Sequence, residues 1–173
     1  PASTFGGDFW DFAPLPRGRS ALLIGDVTGH GVPAAMLTAT AKACVDALRH
    51  VHGENLRVSE TMRVLDNVIR DAGHGSFFMT AAAVVLDTQQ DTLFFTSAGH
   101  PPGLLLRWTE SGIKLVRLIA RGNRLGDAPG STFEAHRIRV EVGDLFFWYT
   151  DGLTDAIGEG GRPFGMRRLL RVL

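Results

Sequence analysis

The chain has 173 residues, 45% of them hydrophobic and 21% charged, with 18 basic residues balancing 18 acidic ones. That length suits one domain with a real core, and zero net charge argues against a nucleic-acid binder held by bulk charge. No apolar run approaches the roughly 20 residues of a membrane span, and a single cysteine, Cys44, excludes an internal disulfide and fits a reducing, cytoplasmic compartment.

The opening "PASTFGGDFW" lacks the basic end and apolar core of a secretion signal. Within it, "FGGDFWDF" sets Asp8 and Asp11 behind two glycines. "RSALLIGDV" reads as a buried strand that runs into Asp26. Pro33 suits the first turn of a helix, where its missing N–H costs nothing, and an Ala-rich pattern carries that helix to about Leu48 or Val51. Cys44 inside it reads as a packing residue. Ser59 is predicted to cap a second helix whose apolar stripe is Val58, Met62, Leu65, Ile69 and Ala72.

The hydrophobic period then changes. "FFMTAAAVVLD" and "TLFFTSAG" read as strands joined by "TQQD", and "GLLLRW" and "IKLVRL" as a second hairpin across "TESG". "STFEAHRIRVEV" alternates as a half-exposed strand should. "LFFWY" is another buried strand, followed by Asp151 and a glycine. "GMRRLLRVL" begins a last helix, and the cluster Arg162, Arg167, Arg168 and Arg171 reads as a solvated face. Two consecutive helices followed by hairpins predict α+β layers rather than a βαβ repeat. Both ends read as cut points in a longer protein.

Two chemistries compete at "LLIGDVTGHGVPAAM". Gly29 to Ala34 satisfies G-x-G-x-x-A between a strand and a helix, a dinucleotide fingerprint. Against it, a second helix follows where a parallel strand is needed, and Asp26 would stand beside a pyrophosphate. The other chemistry is a metal site. Asp8, Asp26 and Asp151 each lie beside glycine at a strand end, and such carboxylates are costly unless bonded, paired or bound to a cation. An all-oxygen set suits Mg²⁺ or Mn²⁺.

The segments "GGDFWD", "GDVTGHGVPAAM", "TSAGHPP", "RLG" and "WYTDGLTDAIGEGGRPFG", in this order and spacing, resemble the SpoIIE/RsbU-like branch of the PPM (type 2C) metal-dependent serine/threonine phosphatases. The resemblance spans nearly the whole chain and implies that residues 1–173 are a catalytic domain with a four-layer αββα sandwich, two antiparallel sheets flanked by helices. It implies two Mn²⁺ or Mg²⁺ ions, with Asp26 bridging both, the Val27 carbonyl on one, Asp151 on the other, and Asp8 on a metal or its waters. Gly7, Gly25, Gly29 and Gly152 would let backbone approach the ions. A hydroxide shared by the metals would then attack phosphorus in line, without a phosphoenzyme. Asp11, Thr28, Gly29, His30 and Gly152 are further candidates for touching the waters or phosphate around the ions. The family pattern also has a last acid in an Asp-Asp-x-Thr strand, which would lie past Leu173; without it the second ion should bind weakly. Aligned on Asp26, Thr28 stands where eukaryotic relatives carry a histidine.

The same resemblance implies as substrate a phosphorylated STAS-type anti-anti-sigma protein, with an upstream sensor or regulator domain and activation through a homodimer. It leaves a catalytically degenerate regulatory binding domain as an alternative to the enzyme. His30 is either a turn residue or an orienting group. His100 is expected to hold backbone around a proline-locked turn, His74 to lie in a loop, and His50, His52 and His136 on the surface. Asp155 reads as a helix-start acid, and Trp10, Trp108 and Trp148 as core or sheet-face aromatics.

Overall fold

The structure, a computed structural model, describes residues 6–158 and 160–173; Phe5 of the first acidic motif and Glu159 of the last lie outside the described residues. In chain order the elements are β1 (Asp8–Leu15), β2 (Arg19–Val27), α1 (Val32–His52), α2 (Val58–Gly73), β3 (Met79–Asp87), β4 (Thr92–Ala98), β5 (Gly103–Thr109), β6 (Gly112–Leu118), β7 (His136–Arg139), β8 (Leu145–Phe147), α3 (Asp151–Asp155) and α4 (Gly165–Val172). A five-stranded sheet has the order β1-β2-β3-β4-β7 and a three-stranded sheet the order β6-β5-β8. Every strand pairing is antiparallel.

The period-two alternation of the strands sorts their side chains into layers. Leu23, Val27, Ala83 and Val85 pack against Ala34, Leu37, Ala41 and Val45 of α1 and against Met62, Leu65 and Ile69 of α2. The small residues at 34 and 41 let α1 settle close to the sheet. Leu22, Val84, Leu93 and Phe95 face Leu105, Leu118, Phe146 and Trp148 of the other sheet. The far side of that sheet buries Leu104 and Leu106 against Leu169 of α4. The result is the expected αββα sandwich of two antiparallel sheets between helices.

Several local expectations need correction. The strand end expected at Asp8 belongs to a full strand missing from the expected element order: β1 forms a complete hairpin with β2, Asp8 to Leu15 pairing with Asp26 to Arg19. Ser59 does not cap α2. The helix starts earlier, because Val58 is buried and the Arg57 carbonyl accepts bonds from both the N–H and the hydroxyl of Thr61. β7 covers only four residues of the alternating stretch, since β4 offers it only Thr92 to Phe95. Asp155 ends α3, which Asp151 begins. His74 lies in the turn past the end of α2, as expected of a loop residue, in the left-handed conformation and with its N–H bonded to the Arg70 carbonyl. The dinucleotide alternative fails on topology: α1 leads into α2 and an antiparallel sheet, so the G-x-G-x-x-A segment opens no βαβ unit.

The "RLG" motif acts as a clasp. Leu125 exchanges backbone hydrogen bonds with Met79, at 2.8 and 3.1 Å, which extends the sheet beside the start of β3. The N–H of Gly126 donates to Asp66 Oδ1 of α2 at 2.8 Å, while Arg70 donates to Asp66 Oδ2 at 2.5 Å. Met79 is the partner of Val27 in β2, so this clasp supports the strand end that carries Asp26.

Candidate metal centre

Asp8 and Asp26 are direct partners across the β1–β2 ladder. Alternation puts both on the same sheet face as Leu22, the face that looks toward the second sheet. They stand at the end of the sandwich. Asp151 reaches the same place from the other sheet: β8 ends at Phe147, and after three further residues Asp151 opens α3. One carboxylate oxygen from each of Asp8, Asp26 and Asp151 lies within 4.8 Å of the others. Asp8 and Asp151 are exposed and Asp26 is half-buried.

No lysine or arginine among the described residues forms a salt bridge to any of the three. The carboxylates therefore face one another uncompensated. Burial raises the Asp26 carboxyl, the Asp8 charge and a hydrogen bond shared with Asp8 raise it further, and Asp151 adds to this; the pKa is pushed up to about 6. A cation relieves all of these costs at once. The donor set is entirely oxygen, and so fits a hard divalent ion such as Mg²⁺ or Mn²⁺.

The surrounding residues hold this geometry. Thr150 donates its hydroxyl to Asp8 Oδ2 at 2.8 Å, joining the two sheets across the site. Gly7 lies flat on the next strand: a Cβ there would stand 2.3 Å from the Val27 carbonyl oxygen and 3.0 Å from Asp26 Oδ1. The Val27 N–H in turn donates to the Gly7 carbonyl at 3.2 Å. Only glycine permits that approach, so the Val27 carbonyl and the Asp26 carboxylate sit side by side. Gly152 lies near Asp8, where a Cβ would stand 3.3 Å from Oδ2.

Other candidates fall elsewhere. Asp11 occupies the opposite face of β1 from Asp8, three residues on, and is ion-paired with Lys42 at 3.3 Å and Arg49 at 3.2 Å of α1. It fastens α1 to β1 and is turned away from the three acids, contrary to the expectation that it touches waters there. Thr28 spends its hydroxyl on the Phe78 N–H at 3.0 Å, and its own N–H donates to the Phe78 carbonyl at 2.8 Å. His30 is exposed between Gly29 and Gly31, whose φ angles are 91° and 84°, a turn that glycine adopts readily. Cys44 packs beside the helix-side core, and burial raises its thiol pKa, as befits an inert packing residue. Arg167, Arg168 and Arg171 are exposed on α4. His136 stacks on Phe95, and Trp10 and Trp108 lie exposed on sheet faces. Sequence reasoning missed Thr150 and Thr80, neighbours of the site whose residue type gives no signal in isolation.

The raised Asp26 carboxyl makes a pH prediction with a definite sign. Its folded-state pKa, about 6, exceeds the ordinary 3.8, so the folded protein holds this proton more tightly. Metal-free stability should therefore fall as pH rises from about 4 to about 6 and level off above. Cation binding needs the ionised carboxylate and runs the other way: affinity should climb by up to roughly tenfold per pH unit below 6, then flatten. Calorimetric Mn²⁺ titrations from pH 5 to 8 check this, and a flat profile contradicts it.

Residues 16–173 match the family model described as Stage II sporulation protein E (SpoIIE). Protein IcfG of Synechocystis sp. is 29% identical over 197 residues, covering 100% of this chain and 31% of IcfG. Phosphoserine phosphatase RsbU of Bacillus subtilis is 26% identical over 161 residues, covering 93% of this chain and 46% of RsbU. Among solved structures, the SiaA-PP2C domain of Pseudomonas aeruginosa superposes with a TM-score of 0.81 at 27% identity, covering 100% of this chain and 67% of that one. The chain thus spans less than half the length of these two curated relatives.

Proposed function

The chain belongs to the SpoIIE family of PPM-type phosphatase domains, and from that premise we propose that it is a catalytic domain that hydrolyses phosphoserine or phosphothreonine on a protein. The observation that carries this reading is the meeting of Asp8, Asp26 and Asp151, from two sheets, within 4.8 Å. Asp26, the most buried of the three and the one raised by both neighbours, would be the carboxylate held in common by two divalent ions. Asp8 and the Val27 carbonyl would be further ligands, and Asp151, at the start of α3, would be the ligand delivered from the side of the second sheet. Bound there, Mn²⁺ or Mg²⁺ would neutralise phosphoryl charge and acidify water to a nucleophile.

The protein's own residues supply position. Thr150 keeps Asp8 oriented, and Gly7 keeps the Val27 peptide against Asp26. No nucleophilic cysteine faces the acids, which agrees with direct hydrolysis. The three retained carboxylates favour the enzyme over a degenerate binding domain.

The substrate we infer is a phosphorylated STAS-type anti-anti-sigma protein, dephosphorylated in the cytoplasm under the control of an attached sensor or regulator domain and through a homodimer. The phosphoserine phosphatase name of RsbU supports this substrate class. No helix among the described residues is long and apolar enough to cross a membrane. The test is release of phosphate from a phosphoserine-bearing STAS domain and from p-nitrophenyl phosphate. Turnover should require Mn²⁺ or Mg²⁺ and stop in chelator. Full turnover in chelator contradicts the proposal.

A further inference from the structure

We propose that His100 is a positioning residue for the metal centre: a neutral imidazole that ties the strand beside Asp26 to the segment that delivers Asp151. The proposal rests on the metal-site reading and goes beyond it by assigning a residue outside the ligand set. His100 follows β4 and is 5% exposed. Its Nε2 lies 3.0 Å from the Tyr149 carbonyl oxygen, and its Nδ1 lies 3.2 Å from Thr80 Oγ1. A carbonyl only accepts, so Nε2 carries the proton and Nδ1 offers its lone pair to the Thr80 hydroxyl. Burial lowers the pKa of the imidazole, in keeping with this neutral form.

The two partners matter because of where they sit. Thr80 is the direct partner of Asp26 across the β2–β3 ladder. Tyr149 is two residues before Asp151, and Thr150 between them bonds Asp8. A closed circuit results: Asp8 pairs with Asp26, Asp26 with Thr80, Thr80 bonds His100, His100 bonds Tyr149, and Thr150 returns to Asp8. The circuit crosses between the sheets at two places only, through His100 and through Thr150. The exposed Thr150 bond competes with water, whereas the His100 bridge is buried.

His100 is itself anchored on its own side. Its N–H donates to Ser97 Oγ at 3.1 Å and its carbonyl accepts from the same hydroxyl at 3.3 Å. Pro101 and Pro102 then fix the exit of the chain. The imidazole thus spans the gap between sheets as a rigid strut, and its length sets how far Asp151 stands from Asp26. Second partners of this kind commonly control metal affinity through the orientation of a ligand they never replace.

The test separates the two arms of the ring. In His100→Gln the amide nitrogen reaches the place of Nε2 and keeps the bond to Tyr149; in His100→Asn it reaches only the place of Nδ1. Mn²⁺ affinity by calorimetry should stay within about threefold of wild type in His100→Gln and fall by at least about tenfold in His100→Asn, with far-UV circular dichroism unchanged in both. Thr80→Val, which removes the other arm without changing shape, should also weaken binding. In the metal-free proteins, amide exchange across residues 150–155 should quicken by at least about tenfold in His100→Asn and not in His100→Gln. Equal affinities and equal exchange in the two His100 variants would overturn the positioning role. Absence of Mn²⁺ uptake by wild type overturns the metal reading instead, and the exchange comparison still decides the role of His100.

Discussion

Replacing Asp26 with Asn is expected to cut Mn²⁺-dependent phosphate release by roughly a thousandfold, the scale on which a single oriented charge acts in such sites, while making the metal-free protein more stable. Both halves follow from one electrostatic fact. The Asp26 carboxyl is raised to about 6 by burial and by the charges of Asp8 and Asp151, so above that pH the folded chain holds a carboxylate in surroundings that disfavour it. Asparagine keeps the shape and removes the charge. The metal-free variant should melt above wild type at pH 7.5, and added Mn²⁺ should no longer raise its melting temperature. Thermal melts with and without Mn²⁺, beside the phosphate-release assay, check the pair. A variant that melts lower and still responds to Mn²⁺ would show that Asp26 is a structural acid. The exchange of stability for function is common at sites built to hold a cation.

The largest expected loss of stability away from the acids is at Asp66. This carboxylate is 3% exposed and is the common acceptor for Arg70 and for the N–H of Gly126. Asp66→Ala leaves that N–H buried without a partner and takes the carboxylate from Arg70, which keeps its bond to Asn67 Oδ1, at a cost of about 3 kcal/mol. Because the clasp also aligns Leu125 with Met79, and Met79 with Val27, Mn²⁺ affinity should weaken as well. Urea denaturation of Asp66→Ala measures the first effect, and calorimetry the second. Asp66→Asn, which retains an acceptor for Gly126, should lose less than half as much. A loss below about 1 kcal/mol for the alanine variant contradicts the clasp.

Much of this architecture is written in local patterns. The stripe from Val58 to Ile69 announces α2 because a helix must bury one face, and Pro33 marks the first turn of α1. Asp26 and Asp151 stand out because an apolar strand seldom leads into a carboxylate without a reason. β1 is harder to read. Its exposed Trp10 and Phe12 blur the inside–outside alternation that identifies a strand. Missing the strand also hides the difference between its two acids, since residues three apart in a strand point to opposite faces. Asp8 therefore joins the metal centre while Asp11 joins α1. The short helix α3 carries too few residues for any periodicity to show. His100 is legible only as a turn residue, because its imidazole partner Tyr149 is 49 residues away and only the stacking of the two sheets brings them together, while Thr80 meets it through the pairing of β3 with β4.

A crystal of this protein grown with Mn²⁺ and measured at the manganese absorption edge tests the central claim most directly. Anomalous density between Asp8, Asp26 and Asp151, with oxygen ligands at about 2.0–2.2 Å, is the expected result. A map without manganese among these three carboxylates, from crystals that remain active in chelator, would contradict it.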